Sequence, residues 1–113
     1  MHEMAISEGI LGIIEDQGRR QDFGRVKRVW LEIGPLAGIE TEALRFTFDV
    51  VAKGTIADSA VLEIIATEAR AWCLLCETSV AIENRWDACP RCGGHQLQTT
   101  SGNEMRIKEL EVE

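Results

Sequence analysis

No apolar run in these 113 residues approaches the roughly 20 residues that a membrane-spanning helix needs. The first residues lack the basic stretch and apolar block of a secretory signal, so the expected location is the cytoplasm. Positive charge is in deficit: 12 Lys and Arg stand against 19 Asp and Glu, a formal net charge of −7. An acidic surface repels phosphate backbones and is better matched to a basic protein partner or a cation, so no nucleic-acid partner is expected. Tyrosine is absent, with only three Phe and three Trp. No phosphate-binding loop, nucleophile–base triad or paired carboxylates stand out, so catalytic turnover is not expected. The length suffices for one modest core and one small satellite.

What is present begins with periodic apolar positions. Residues 4–19 carry Ile6, Ile10, Ile13 and Ile14 at helical offsets, which predicts an amphipathic helix. Glu3 stands just ahead, where a carboxylate suits the helix dipole. Gly18 with Arg19 and Arg20 marks the far end. Residues 26–33 alternate, with Val29, Leu31 and Ile33 on one face and Arg28, Trp30 and Glu32 on the other, as in a half-buried strand. Gly34, Pro35 and Gly38 then form a turn-rich connection.

Thr41 is the expected N-cap of a second helix, with Glu42 in its first turn. Leu44, Phe48, Val51 and Ala52 supply its apolar stripe, and Gly54 is the expected left-handed C-cap. Residues 61–67 are rich in branched side chains and predict a second strand. Residues 99–103 are polar and read as a separator before a strand-like tail at 104–112. In that tail Met105 and Ile107 share one parity and Leu110 and Val112 the other, which predicts a bulge near Lys108.

Two strands alone are marginal, so the tail is expected to return and complete a sheet. The expected fold is α+β: two helices on a three-stranded sheet, formed by residues 1–70 plus 101–113. A zinc-ribbon-like module built on four cysteines is inserted at residues 71–100.

That module rests on Cys73, Cys76, Cys89 and Cys92, in the pattern C-x₂-C-x₁₂-C-x₂-C. Two intervening residues let one tight turn aim both sulfurs at a common point, and backbone N–H groups in the turn can donate to thiolates. Gly93 and Gly94 relieve crowding after the second pair. In a reducing compartment such pairs point to a metal before disulfides. Four protein sulfurs close a tetrahedral zinc site and leave no position for water, which predicts a structural role. Metal binding would supply folding free energy on the order of 10–16 kcal/mol to a segment with little other core. The Cys89-Pro-Arg-Cys92-Gly knuckle also fits a rubredoxin-like FeS₄ electron carrier, but the paucity of aromatics favours zinc. A zinc-ribbon module for protein or nucleic-acid interaction is the other alternative, opposed by the acidic balance. His95, just beyond the last knuckle, reads as an exposed loop residue rather than a ligand.

Met1-His2-Glu3 offers different chemistry. A terminal amine, the His2 amide nitrogen and the His2 imidazole can close five- and six-membered chelate rings on one ion. Ni²⁺ and Cu²⁺ favour such tetragonal nitrogen sets, whereas Zn²⁺ prefers tetrahedra. A fourth donor could be the Glu3 amide nitrogen or another nearby group. Binding displaces protons, so affinity falls with pH.

The opening Met1-His2-Glu3, the stretch Gly34-Pro-Leu-Ala-Gly-Ile-Glu-Thr-Glu-Ala-Leu-Arg-Phe-Thr-Phe48 and the cysteine pattern resemble, together and in order, the HypA/HybF family of hydrogenase nickel incorporation proteins. The resemblance implies a metallochaperone with Ni(II) as cargo and one structural Zn(II). It implies His2 as an essential nickel ligand supported by Glu3, with the four cysteines on zinc. It further implies a HypB-type GTPase and the large subunit of [NiFe]-hydrogenase as partners, with urease maturation proteins served by some relatives. Monomers and homodimers both occur in the family.

Overall fold

The structure, a computed structural model, describes residues 3–113. The chain runs α1 (Glu3–Gln21), β1 (Val26–Ile33), α2 (Thr41–Ala52), β2 (Val61–Ala66), β3 (Ala69–Cys73), β4 (Thr78–Ile82), β5 (Leu97–Ser101) and β6 (Met105–Val112). Two three-stranded sheets form, in the orders β2-β1-β6 and β4-β3-β5. The first is the sheet expected from the marginal stability of two strands alone, with the tail strand returned beside β1. The second occupies the segment where only metal knuckles were expected. Backbone packing divides the chain into two compact units: Met1–Leu31, Ile39–Ile64 and Ile107–Glu113 form the first, Glu32–Gly38 and Ile65–Arg106 the second.

In the first unit α1 buries Ile6, Ser7, Ile10, Leu11, Ile14 and Gly18. Ile13 is 53% exposed, contrary to its place in the expected stripe. At 100° per residue it lies beyond Ile6 at the margin of the buried arc, and Leu11 takes its place inside. Gly18 does not end the helix either. Its lack of a side chain admits Ile56, whose Cδ1 would lie 2.9 Å from a Cβ at that position. The helix ends three residues later with Asp22 at φ 57° and the Phe23 N–H donating to the Gly18 carbonyl (3.2 Å), a Schellman-type closure.

Helix α2 buries Leu44, Phe48 and Ala52, as its periodicity predicts. Its N-cap is Glu40 rather than Thr41: Glu40 is extended and its Oε1 accepts the Glu42 N–H at 3.1 Å. Thr41 is therefore already helical. Gly54 follows the helix at φ 77°. On β1, Val29 and Leu31 are fully buried. Arg28, at the opposite parity, pairs with Glu63 of β2 at 2.8 Å and with Glu111 of β6 at 3.6 Å. The central strand thus ties its polar face to both neighbours, and the Arg28 guanidinium also stands over the Trp30 ring. On β6 the half-buried positions change parity between Ile107 and Leu110.

In the second unit β3 is central. It pairs antiparallel with β4 from Ala69↔Ile82 to Cys73↔Thr78, and with β5 from Arg70↔Ser101 to Cys73↔Leu97. Thr99 and Ser101, expected within a polar separator, are therefore paired strand, with a register shift between them. Only Leu97 of β5 packs on the apolar cluster, which is formed by Leu36, Ala69, Ala71, Cys73, Val80, Ile82 and Cys89. The strand is held by backbone ladder bonds instead, for which threonine and glutamine serve as well as valine. Among the described residues no helix is long and apolar enough to cross a membrane.

Candidate metal centre

Cys73 is the last residue of β3, so the central strand fixes the first sulfur. The chain turns at once: the Glu77 N–H returns to the Cys73 carbonyl at 2.8 Å, with Glu77 itself at φ 51°. This brings Cys76 back beside Cys73, and its N–H donates to the Cys73 Sγ at 3.4 Å. The second knuckle is closed by Gly93 N–H to the Cys89 carbonyl (2.8 Å) and Cys89 N–H to the Gly94 carbonyl (2.7 Å). Arg91 and Gly94 N–H groups point to the sulfurs of Cys89 and Cys92, each at 3.4 Å. Between the knuckles the Asp87 carboxylate accepts the Glu83 and Asn84 N–H groups at 2.8 and 3.0 Å. These bonds hold its pKa below the ordinary carboxylate value and shape the loop that returns to Cys89.

All four sulfurs lie within 4.8 Å of one another. Cys73 and Cys92 are 3.8 Å apart, and Cys76 and Cys89 are 4.0 Å apart. Four sulfurs at about 2.3 Å from a tetrahedral zinc stand about 3.8 Å from each other, so the quartet fits the ion. Cys73 and Cys89 are buried whereas Cys92 is exposed, which makes the site a closed sulfur cage at the surface of its unit. The chemistry agrees with that reading. The Cys76 thiol is pushed up to about 12, first by its hydrogen bond with Cys92, then by burial and by bonds with Cys73 and Cys89. The Cys89 thiol is lowered to about 7, chiefly by the Cys92 backbone N–H. Crowded sulfurs keep protons unless a cation replaces them. His95 is exposed and stands outside the quartet.

Of the other expected site residues, Met1 and His2 lie outside the described residues. Glu3 is the first residue of α1, but its carboxylate reaches beyond its own helix: Oε2 accepts the Glu40 N–H at 3.2 Å. Its carbonyl accepts from the Thr47 hydroxyl at 3.3 Å, and Thr47 Oγ1 lies 2.7 Å from Ser7 Oγ. Reading the sequence missed Ser7, Glu40 and Thr47. Ser7 did carry a signal, as a polar residue inside the arc of Ile6, Ile10, Leu11 and Ile14.

A four-sulfur cage that can hold a metal ion on one compact unit, in the same chain as an α/β unit whose first helix starts at Glu3, marks a small protein of the metal-binding class. The profile of the HypA family, described as a hydrogenase/urease nickel incorporation metallochaperone, matches residues 1–112, and the chain belongs to that family. It is 59% identical to the hydrogenase maturation factor HypA of Azotobacter vinelandii over 113 residues, which is all of both chains. Identity is 57% to the HypA of Bradyrhizobium sp. (strain ORS 278), again over the whole of both. The fold is similar to the solution structure of the Ni metallochaperone HypA from Helicobacter pylori, with a TM-score of 0.72 at 21% identity, covering 99% of this chain and 97% of that one.

Proposed function

We propose that this chain carries Ni²⁺ on Met1, His2 and Glu3 and delivers it to the large subunit of a [NiFe]-hydrogenase during maturation. The observation that carries the reading is the conjunction of a nitrogen-rich chelating start, Met1-His2-Glu3, with membership of the nickel-incorporation family. The amine of Met1, the amide and imidazole nitrogens of His2, and a donor at or near Glu3 hold the ion. The part of the chain formed by residues 1–70 and 101–113 is the nickel-binding portion, and residues 71–100 are the zinc module. A metal that replaces amide protons at the start of a helix does not compete with the helix ladder, because the first four N–H groups of any helix have no acceptor within it.

Zinc, bound by Cys73, Cys76, Cys89 and Cys92, is structural: four protein ligands leave it no site for substrate. The protein acts in the cytoplasm as a carrier without catalytic turnover. Any GTP hydrolysis belongs to a HypB-type partner. Urease maturation proteins and a homodimer are further assemblies in which the same cargo site would serve.

The test is nickel titration of untagged protein against His2→Ala, with zinc content followed in parallel. Wild type binds one nickel per chain, while the variant loses it and keeps zinc and fold. Residues added before Met1 act like the substitution, because they abolish the terminal amine. Equal nickel affinity in wild type and His2→Ala sinks the assignment.

A further inference from the structure

We infer that Thr47, together with Ser7, positions the nickel-binding start of the chain, an inference that rests on the nickel reading above. Thr47 Oγ1 sits 3.3 Å from the Glu3 carbonyl, 3.2 Å from the Leu44 carbonyl and 2.7 Å from Ser7 Oγ. One hydroxyl has one hydrogen. The Thr47 hydrogen serves one acceptor at a time, and whenever it lies on the Glu3 or Leu44 carbonyl the Ser7 hydroxyl is the donor to Thr47. The Glu40 N–H holds the Glu3 carboxylate at 3.2 Å. Glu3 is thus gripped at its backbone and at its side chain, both times from the second helix or its cap.

Ser7 shows that this arrangement is built rather than incidental. It is 0% exposed and is the one buried polar side chain among the described residues. A hydroxyl in an apolar layer is unfavourable unless it is hydrogen-bonded. An alanine there would fill the same helix face without that requirement. What Ser7 adds is an oriented partner for Thr47, and what Thr47 adds is a hold on the residue that directly follows the two chelating ones.

A chelate of amine, amide and imidazole nitrogens demands a fixed backbone direction. Ordering it on binding opposes affinity, and an anchor at Glu3 removes part of that cost beforehand. Thr47 and Ser7 are therefore positioning residues: they touch no metal and act through Glu3.

The experiment compares nickel affinity and the d–d absorption of bound Ni²⁺ in untagged wild type, Thr47→Val, Thr47→Ser and the double variant Ser7→Ala/Thr47→Val. Zinc content and thermal midpoint are measured beside them. Thr47→Val keeps the shape but leaves Ser7 buried without its partner, so its fold is at risk. The double variant removes both hydroxyls together, which leaves packing nearly neutral. Both are expected to bind nickel about 10- to 100-fold more weakly, the usual loss when an outer-shell partner is removed. Thr47→Ser stays near wild type, and zinc is unchanged throughout. Wild-type nickel binding in the double variant overturns the inference and leaves the nickel site standing, as does a Thr47→Ser protein as weak as Thr47→Val. If wild type itself takes no nickel at its first residues, both readings fall together.

Discussion

Gly34 and Gly102 meet backbone to backbone: a Cβ on Gly34 would overlap the Gly102 carbonyl, which itself accepts the Leu36 N–H at 2.7 Å. Gly102 holds φ 119°, and a Cβ there would collide with Ala69. The turn after β1 and the turn before β6 are locked by this contact, with the Gly34 N–H donating to the Glu104 carbonyl at 2.8 Å.

Gly34→Ala is therefore expected to be strongly destabilising, because only backbone stands in the way and no flexible side chain can yield. A loss on the order of 3 kcal/mol is expected, read as a lower midpoint in urea unfolding. A variant within about 0.5 kcal/mol of wild type, the range of an ordinary surface substitution, would show that the two turns separate at little cost.

Glu104 fastens the same crossing from its side chain. Oε1 accepts the Thr67 hydroxyl at 2.7 Å and Oε2 accepts the Gly102 N–H at 2.8 Å. Led by the Thr67 bond, these contacts hold the carboxyl below its ordinary range. A carboxylate whose pKa is lower folded than unfolded stabilises the fold above its unfolded pKa of about 4.3 and loses that contribution as pH falls through the folded value. Glu104→Gln should be less stable than wild type at neutral pH, with the gap closing below pH 4.3 or so. Urea midpoints measured from acid to neutral pH check this; a gap of constant size would assign the effect to shape rather than charge.

Periodic apolar burial and cysteine spacing were legible in the sequence, whereas backbone ladders and single polar contacts were not. The alternation of Val29, Leu31 and Ile33 set β1 because burial on one face of a strand has period two. Leu44, Phe48 and Ala52 marked the buried side of α2 for the corresponding helical reason. The cysteine spacing placed the quartet because two-residue turns constrain where sulfurs point. Strand β5 escaped notice because Gln98, Thr99 and Thr100 are exposed, so no apolar pattern announces the ladder that holds them. Glu40 escaped as N-cap because short side chains usually fill that position. The hold on Glu3 escaped because Thr47 and Glu3 are 44 residues apart, and no local pattern links a hydroxyl to a distant carbonyl.

Removing the zinc proposed for the four sulfurs should act on the two compact units unequally. Cys73 and Cys89 belong to the small apolar cluster of the second unit, while the buried residues of α1 and α2 belong to the first. Chelation is expected to change the environment of Trp72, which precedes Cys73 on β3 in the second unit, and to leave most of the helical signal. Tryptophan fluorescence and far-ultraviolet circular dichroism, recorded during titration with a strong chelator, separate the two. Simultaneous loss of both signals would show that the helical unit depends on the metal as well.

The sulfur cage also fixes how zinc binding responds to acid. In the folded cage Cys76, pushed up to about 12, keeps its proton throughout the physiological range, whereas Cys89, lowered to about 7, titrates within it. Zinc must displace the Cys76 proton at every such pH, but a Cys89 proton only in the fraction of molecules that still carry one. Proton release on zinc binding is therefore expected to increase as pH falls from 8 to 6 or so, and apparent affinity to fall with it. Calorimetric titrations of zinc into the metal-free protein, in buffers of different ionisation enthalpy, measure that release directly. A release that stays constant across this window would show that Cys89 does not titrate at its lowered value there.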